Sequence, residues 1–142
     1  MNSEAPSYEV SFYFRKILVP IDGSESSYRA LQVAVDLAQH YGSKIVVVHV
    51  KPRNASLTGE TDPIIKAKER LKGASISVVY KYLEYDPLGD SPSSALVREI
   101  TIEGYDLVVI GARGKSLLPD LHIGSTTLSL IVNTATSIFI IR

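Results

Sequence analysis

The sequence predicts a single α/β domain: an open, mostly parallel five-stranded sheet with helices on both faces. Three observations carry that prediction. Short apolar runs alternate along the whole chain with stretches of helical periodicity. The second run, Lys44 to Val50 (KIVVVHV), is apolar on both faces, as expected when helices cover both sides of a parallel sheet. The connections are about 2 to 12 residues long except for one glycine-containing loop, with no internal repeat, linker or low-complexity segment. The order of the strands does not follow from the sequence.

Taken in order, residues 1–14 read as an N-terminal tail or strand extension and residues 15–142 as the domain. Met1 to Ser7 has the character of a tail, whereas Val10, Phe12 and Phe14 alternate with Ser11 and Tyr13. Lys16 to Ile21 is the first strand; Pro20 removes a ladder donor, so pairing should end there. Ser24 is a good N-cap with Glu25 in the first turn, and Leu31, Ala34, Val35 and Ala38 form the apolar face of a helix stopped by Gly42. The second strand leads into a polar loop, Lys51 to Asp62. Pro63 suits a first helical position, and Ile64, Ala67 and Leu71 mark a short helix ending at Gly73. Ile76 to Leu83 is a third strand whose polarity suits a sheet edge. Ser91 and Pro92 open a helix with Ala95, Leu96, Glu99 and Ile100 on one face, where Glu99 alone is out of place; Gly104 ends it. Leu107 to Ile110 is a buried strand. Leu128, Ile131, Val132 and Ala135 fall at i, i+3, i+4 and i+7 and predict the inward face of a last helix, before a final strand, Ser137 to Ile141.

Composition removes several classes of function. A chain of 142 residues with 45% apolar and 21% charged residues is globular and large enough for a real core. Fifteen Lys and Arg against fifteen Asp and Glu give no electrostatic case for nucleic acid or an anionic membrane as partner. The absence of cysteine excludes disulfides, thiolate catalysis and Cys-based zinc sites. No apolar run approaches the roughly 20 residues of a membrane span. The start, MNSEAPSYEV, carries acid and proline where a signal peptide would be basic and then apolar. The expected location is the cytoplasm.

The chemistry concentrates between Asp106 and Thr127, DLVVIGARGKSLLPDLHIGSTT. A buried strand stops at Gly111, Gly114 follows, and Gly124-Ser125 opens the last helix. Glycine lets a bulky anion approach the backbone, and a helix start offers unpaired N–H groups and a positive dipole end. This is the pattern of a phosphate site. Each residue also has a purely local reading: Gly111 and Gly114 as turn glycines, Ser125 as a helix cap, Asp22 as a stabiliser of the DGS turn or cap of the first helix, Arg113 as a solvated loop residue, Val50 as core.

Other signals are set aside. Gly114-Lys115-Ser116 resembles the end of a Walker A loop, but the required earlier glycine position, 109, is valine. His40, His49 and His122 have no transition-metal spacing, and His49 inside a strand reads as a structurally satisfied histidine. The serines after Asp22 form no G-x-S-x-G elbow.

The spacing G-x2-G-x9-G-[ST], together with KILVPIDGSESSYRAL, VVVHV and DLVVIGARG, resembles the universal stress protein family of the ATP-binding type, whose adenine nucleotide α-hydrolase-like fold is Rossmann-like. The resemblance implies a site residue by residue. Asp22, following Pro20, would contact the adenosine part of ATP, and the backbone of Val50 the adenine. Ile110, Gly111, Arg113 and Gly114 would lie over ribose and phosphates. Gly124, Ser125, Thr126 and Thr127 would hold the phosphate chain. The implied ligand is ATP, or ADP or AMP, with Mg2+ held mainly by the phosphates and no protein metal site. No general base is evident, so the expected role is a nucleotide-dependent switch or stress-response factor, with slow or partner-dependent hydrolysis and no efficient intrinsic activity. Alternatives are an ATP-hydrolysing or adenylyl-transferring enzyme on the same fold, or a nucleotide-independent dimeric interaction module. The resemblance also implies a homodimer through the last strand, and a switch implies a protein partner. Ser137 stands where members often carry proline, and the short Lys51 to Gly73 segment implies a reduced lid.

Overall fold

Five strands, β1 (Lys16–Pro20), β2 (Lys44–Pro52), β3 (Ser77–Tyr85), β4 (Leu107–Gly111) and β5 (Ser137–Ile141), pair in parallel in the order β3-β2-β1-β4-β5. Four helices connect them: α1 (Glu25–Tyr41), α2 (Pro63–Arg70), α3 (Pro92–Glu103) and α4 (Ser125–Asn133). The computed structural model of the chain describes residues 14–113 and 123–142. The chain winds outward from β1 to β3 and then returns to place β4 on the other side of β1. That reversal is a topological switch point, where open α/β sheets leave a crevice at the carboxyl ends of their strands.

Successive strand residues face opposite sides of the sheet, so each buried strand feeds two cores. Ile17, Val19, Ile45, Val47, Leu107 and Val109 meet Leu31, Ala34 and Ala38 of α1 and Ile64 and Ala67 of α2. Leu18, Val46, Val48, Val108 and Ile110 meet Leu96 and Ile100 of α3 and Leu130 of α4. The fold class read from the sequence is the one observed.

Local chemistry sets the element boundaries. Ser24, Asp62 and Ser91 each accept an N–H of the first turn of α1, α2 and α3, and Gly42 closes α1 at φ 70°. Pro20 is the last residue of β1, as its missing donor predicts, and β1 pairs with β4 only at Ile17↔Leu107 and Leu18↔Val108. The two strands therefore part where the crevice opens.

Several expectations are corrected. β2 runs on through Lys51 and Pro52, which pair with Glu84 and Tyr85, and a 3.0 Å Lys51–Glu84 ion pair ties the extension. α2 stops at Arg70, with Leu71 as its cap. The stripe predicted to face inward from α4 faces out: Leu128, Ile131 and Val132 are 52%, 42% and 72% exposed, and Ala135 lies beyond the helix. Thr127 and Leu130 are buried instead. The Thr127 hydroxyl donates to the Gly111 carbonyl at 2.8 Å, and this bond sets the rotation of α4. Phe14 belongs with the fold: its ring packs edge-on against Tyr41 and Phe139. The remainder of the expected tail, residues 1–13, lies outside the described residues.

Glu99 occupies the apolar face of α3 because it is fully partnered. Its Oε2 accepts from Lys81 Nζ at 2.7 Å and from the Tyr105 hydroxyl at 2.6 Å. Burial, and then the bond to Glu99, push the Tyr105 hydroxyl far above its ordinary value. Tyr82 donates to Asp62, the α2 cap; burial and then that bond push it up to about 12. The fold therefore favours both protonated phenols. That contribution is complete below pH 10.0, the ordinary value, and is lost as pH rises, for Tyr82 between 10.0 and about 12. Tyr105→Phe should lower the unfolding free energy at neutral pH by about 1.5–3 kcal/mol, the range for a bond to a charged group. It should also flatten the alkaline loss of stability. Urea midpoints measured from pH 7 to 11 check both, and an unchanged midpoint at pH 7 would refute the Tyr105 contribution.

Candidate functional site

Beyond β1 the chain turns sharply at Ile21-Asp22-Gly23-Ser24. Gly23 takes φ 88°, in the left-handed region that glycine alone enters readily. Asp22 Oδ1 accepts the Ser24 N–H at 2.9 Å, so the aspartate shapes the turn as well as bordering the crevice. The Ser24 hydroxyl caps the Ser27 N–H at 3.2 Å, and the Ser27 hydroxyl donates to the Ser24 carbonyl at 2.8 Å. On β2, His49 Nδ1 lies 2.9 Å from the Ile21 carbonyl. A carbonyl only accepts, so Nδ1 carries the proton, and His49 is the satisfied histidine the sequence suggests.

Across the switch point, β4 ends in a short strap whose three carbonyls are each held by a different group. Thr127 Oγ1 donates to Gly111 O at 2.8 Å, the Gly124 amide to Ala112 O at 2.6 Å, and Ser26 Oγ to Arg113 O at 2.7 Å. The Ala112 amide donates to Ile141 O at 2.6 Å. Gly111 is glycine for want of space: a Cβ there would lie 2.1 Å from Ser26 Oγ and 2.9 Å from the Ser26 carbonyl carbon. Helix α4 starts directly behind the strap. Its first intrahelical bond runs from Leu128 N to Gly124 O at 3.0 Å, so the amides of Ser125, Thr126 and Thr127 precede any i−4 carbonyl of the helix.

These ends enclose a cleft of about 450 Å³, within the usual range for small-molecule sites. It is bordered by Pro20 and Asp22 after β1, Val50 of β2, Ile110, Gly111 and Arg113 at β4, and Gly124, Ser125, Thr126 and Thr127 at α4. All the expected site residues within the described chain therefore meet in one place. Gly114 lies outside the described residues, as do Lys115, Ser116 and His122. The sequence did not point to Ser27, His49, Pro92 or Leu96 as cleft residues, although they border it. Pro92 and Leu96 come from α3, whose position above the switch point depends on strand order.

The cleft is chemically divided. Val50, Leu96, Ile110 and Pro20 offer apolar surface, whereas the α4 start offers amides, the Ser125 and Thr126 hydroxyls and the positive end of the helix dipole. Residues 111–113 and 124–127 themselves include no acidic side chain, and Arg113 adds a positive one. Among the described residues no group of three or more His, Asp or Glu converges to hold a metal ion by itself. Also among the described residues, no helix is long and apolar enough to cross a membrane.

Comparison with known proteins gives a consistent answer. Residues 13–142 match the model of the Universal stress protein family. A universal stress protein of Thermus aquaticus, named for the 3′ region of a QAH/OAS sulfhydrylase, is 28% identical over 136 residues, covering 91% of this chain and 99% of that one. The fold is shared with a universal stress protein solved in complex with cAMP, at TM-score 0.68 and 22% identity over 92% of this chain and 98% of the other. It is shared also with a universal stress protein from Archaeoglobus fulgidus in complex with dAMP, at TM-score 0.62 and 22% identity over 93% of this chain and all of the other.

The packing of α1 on the strap is directly testable. Gly111→Ala forces the Ser26 backbone aside as well as its hydroxyl, and overpacking of this kind costs about 1–3 kcal/mol. The urea midpoint should fall accordingly; an unchanged midpoint would contradict the close approach of α1 to β4.

Proposed function

The chain belongs to the universal stress protein family, and from that membership we propose that it binds ATP and acts as a nucleotide-dependent switch or stress-response factor. The observation that carries the reading is a single cleft holding an apolar wall, a turn-forming aspartate and an uncapped helix start. The cAMP and dAMP complexes of the two structural relatives support an adenine nucleotide as the class of ligand.

Val50 and Ile110 flank the adenine and ribose, and Asp22 accepts from ribose hydroxyls or the adenine amine. The amides and hydroxyls of Ser125 and Thr126 take the phosphates, with Arg113 adding charge. Two assignments become narrower. The Gly124 amide is already given to Ala112 O, so Gly124 contributes closeness of approach rather than a donor. The Thr127 hydroxyl is given to Gly111 O, so it positions the helix start. Mg2+ would be held mainly by the phosphates, with one or two protein oxygens such as the Ser125 and Thr126 hydroxyls. When bound it neutralises phosphate charge.

The reading is of binding rather than turnover. No acid lies on the phosphate side of the described cleft, and Asp22 is tied into its turn on the β1 side. Hydrolysis by the protein alone is accordingly slow, and a protein partner would read or accelerate it.

Gly124 has φ −71°, a conformation open to any residue, so Gly124→Val leaves the backbone feasible while placing a branched side chain at the phosphates. ATP affinity by calorimetry should fall at least tenfold, about 1.4 kcal/mol. Equal affinity in the folded variant would remove the phosphate assignment. Sustained ATP turnover at roughly 1 to 1,000 per second, the range of efficient enzymes, would replace the switch by an ATPase.

The same reading includes a homodimer through β5. Among the described residues this strand is the sheet edge and pairs with β4 alone, and Phe139 is 39% exposed. A strand pairing with its two-fold mate runs antiparallel and closes at two subunits. Sedimentation at micromolar concentration, with and without ATP, should show a dimer. Proline at 139 or at 140 should then separate the outer edge from the inner ladder: one variant yields a folded monomer, the other damages the fold. A monomer from the unmodified protein would end the proposal.

A further inference from the structure

We propose that Ser26 is a positioning residue for the phosphate end of the cleft, acting through the Arg113 carbonyl. The inference rests on the nucleotide reading above and names a group that reading leaves out.

Ser26 is the second residue of α1 and is 8% exposed. A serine in a first helical turn commonly serves its own helix, but that work is done here by Ser24 and Ser27. The Ser26 hydroxyl instead donates to the Arg113 carbonyl, 87 positions away, at 2.7 Å. Gly111 makes this reach possible, since any Cβ there would collide with Ser26 Oγ at 2.1 Å. Glycine on β4 and serine on α1 are thus two halves of one arrangement.

Ser26 does not border the 450 Å³ cleft. It faces a separate hollow of about 370 Å³ on the other side of the strap, beside Arg29, Arg113 and Arg142. The hydrogen bond from its side chain reaches the lining of the main cleft at the Arg113 carbonyl. The bond completes the set: with Gly111 O and Ala112 O already held, fixing Arg113 O anchors all three carbonyls of the strap. A strap ordered on folding does not have to be ordered by the ligand, and this preorganisation favours binding. The adenosine side, at Val50 and Asp22, does not depend on it.

The test compares ATP with adenosine on the full chain by calorimetry. Ser26→Ala removes the donor and adds no volume. ATP binding should weaken about tenfold, about 1.4 kcal/mol, while adenosine affinity stays unchanged. Unchanged ATP affinity in the folded variant overturns the inference. So does a parallel loss for both ligands, which marks a role in stability alone. Ser26→Cys keeps the packing with a weaker donor and should show the same split, so the question stays decidable if Ser26→Ala does not fold; equal ATP affinity there overturns it as well. Gly111→Ala should cost less stability in the Ser26→Ala background than alone, because the nearest collision disappears with the hydroxyl, whereas additive costs overturn the pairing. Failure of the unmodified protein to bind ATP is a different result: it removes the nucleotide reading, and this inference with it.

Discussion

The anchoring of three consecutive carbonyls, Gly111, Ala112 and Arg113, is the constraint on which the candidate site depends. Each is claimed by a separate group: a hydroxyl of α4, the amide before α4, and a hydroxyl of α1. Backbone acceptors buried without partners are costly, so a strap leaving the end of a central strand needs such donors from somewhere. Taking them from two helices on opposite faces of the sheet locks those helices to the same three residues. The cleft wall, the start of α4 and the start of α1 are consequently one unit. The rotation of α4 is part of that bargain: with Thr127 turned inward, Leu128, Ile131 and Val132 are turned out.

The other side of the cleft is opened by what is missing. Pro20 gives no amide to the ladder, and β1 and β4 share only two register pairs before they part. The chain after Pro20 then turns through Gly23, and its polar groups are met locally: Asp22 takes the Ser24 amide and Ser24 takes the Ser27 amide. The Ile21 carbonyl is met by His49 from β2. A crevice at a switch point is a topological consequence of strand order; its chemical polarity here comes from an aspartate turn on one side and a helix start on the other.

Much of this was legible in the sequence, and the exceptions have a common cause. Pro20, Ser24, Gly42, Pro63, Ser91 and Gly104 act through their own backbone neighbourhood, so their effects are readable one residue at a time. The alternation of elements likewise determines the fold class. Periodicity failed at α4 because it scores Thr127 as polar, whereas a hydroxyl bonded to Gly111 O can be buried beside Leu130. Ser26 was invisible for the same reason, since its partner lies 87 positions away. Gly111 was noticed for the right position but with two incomplete reasons, a turn and a ligand approach. The spatial reason is a helix side chain that occupies the volume of its absent Cβ. Glu99 looked misplaced and was not: Lys81 and Tyr105 come from other elements to satisfy it.

A hydrogen-bonded strap and a helix start together favour binding on energetic grounds. Donors fixed before the ligand arrives lower the ordering cost of binding. The described phosphate side supplies amides, hydroxyls and a guanidinium, none of which accepts a proton near neutral pH. Such groups suit an anionic ligand. The strap is bonded to α1, to α4 and, through Ala112 and Ile141, to β5, so the cleft wall is continuous with all three elements.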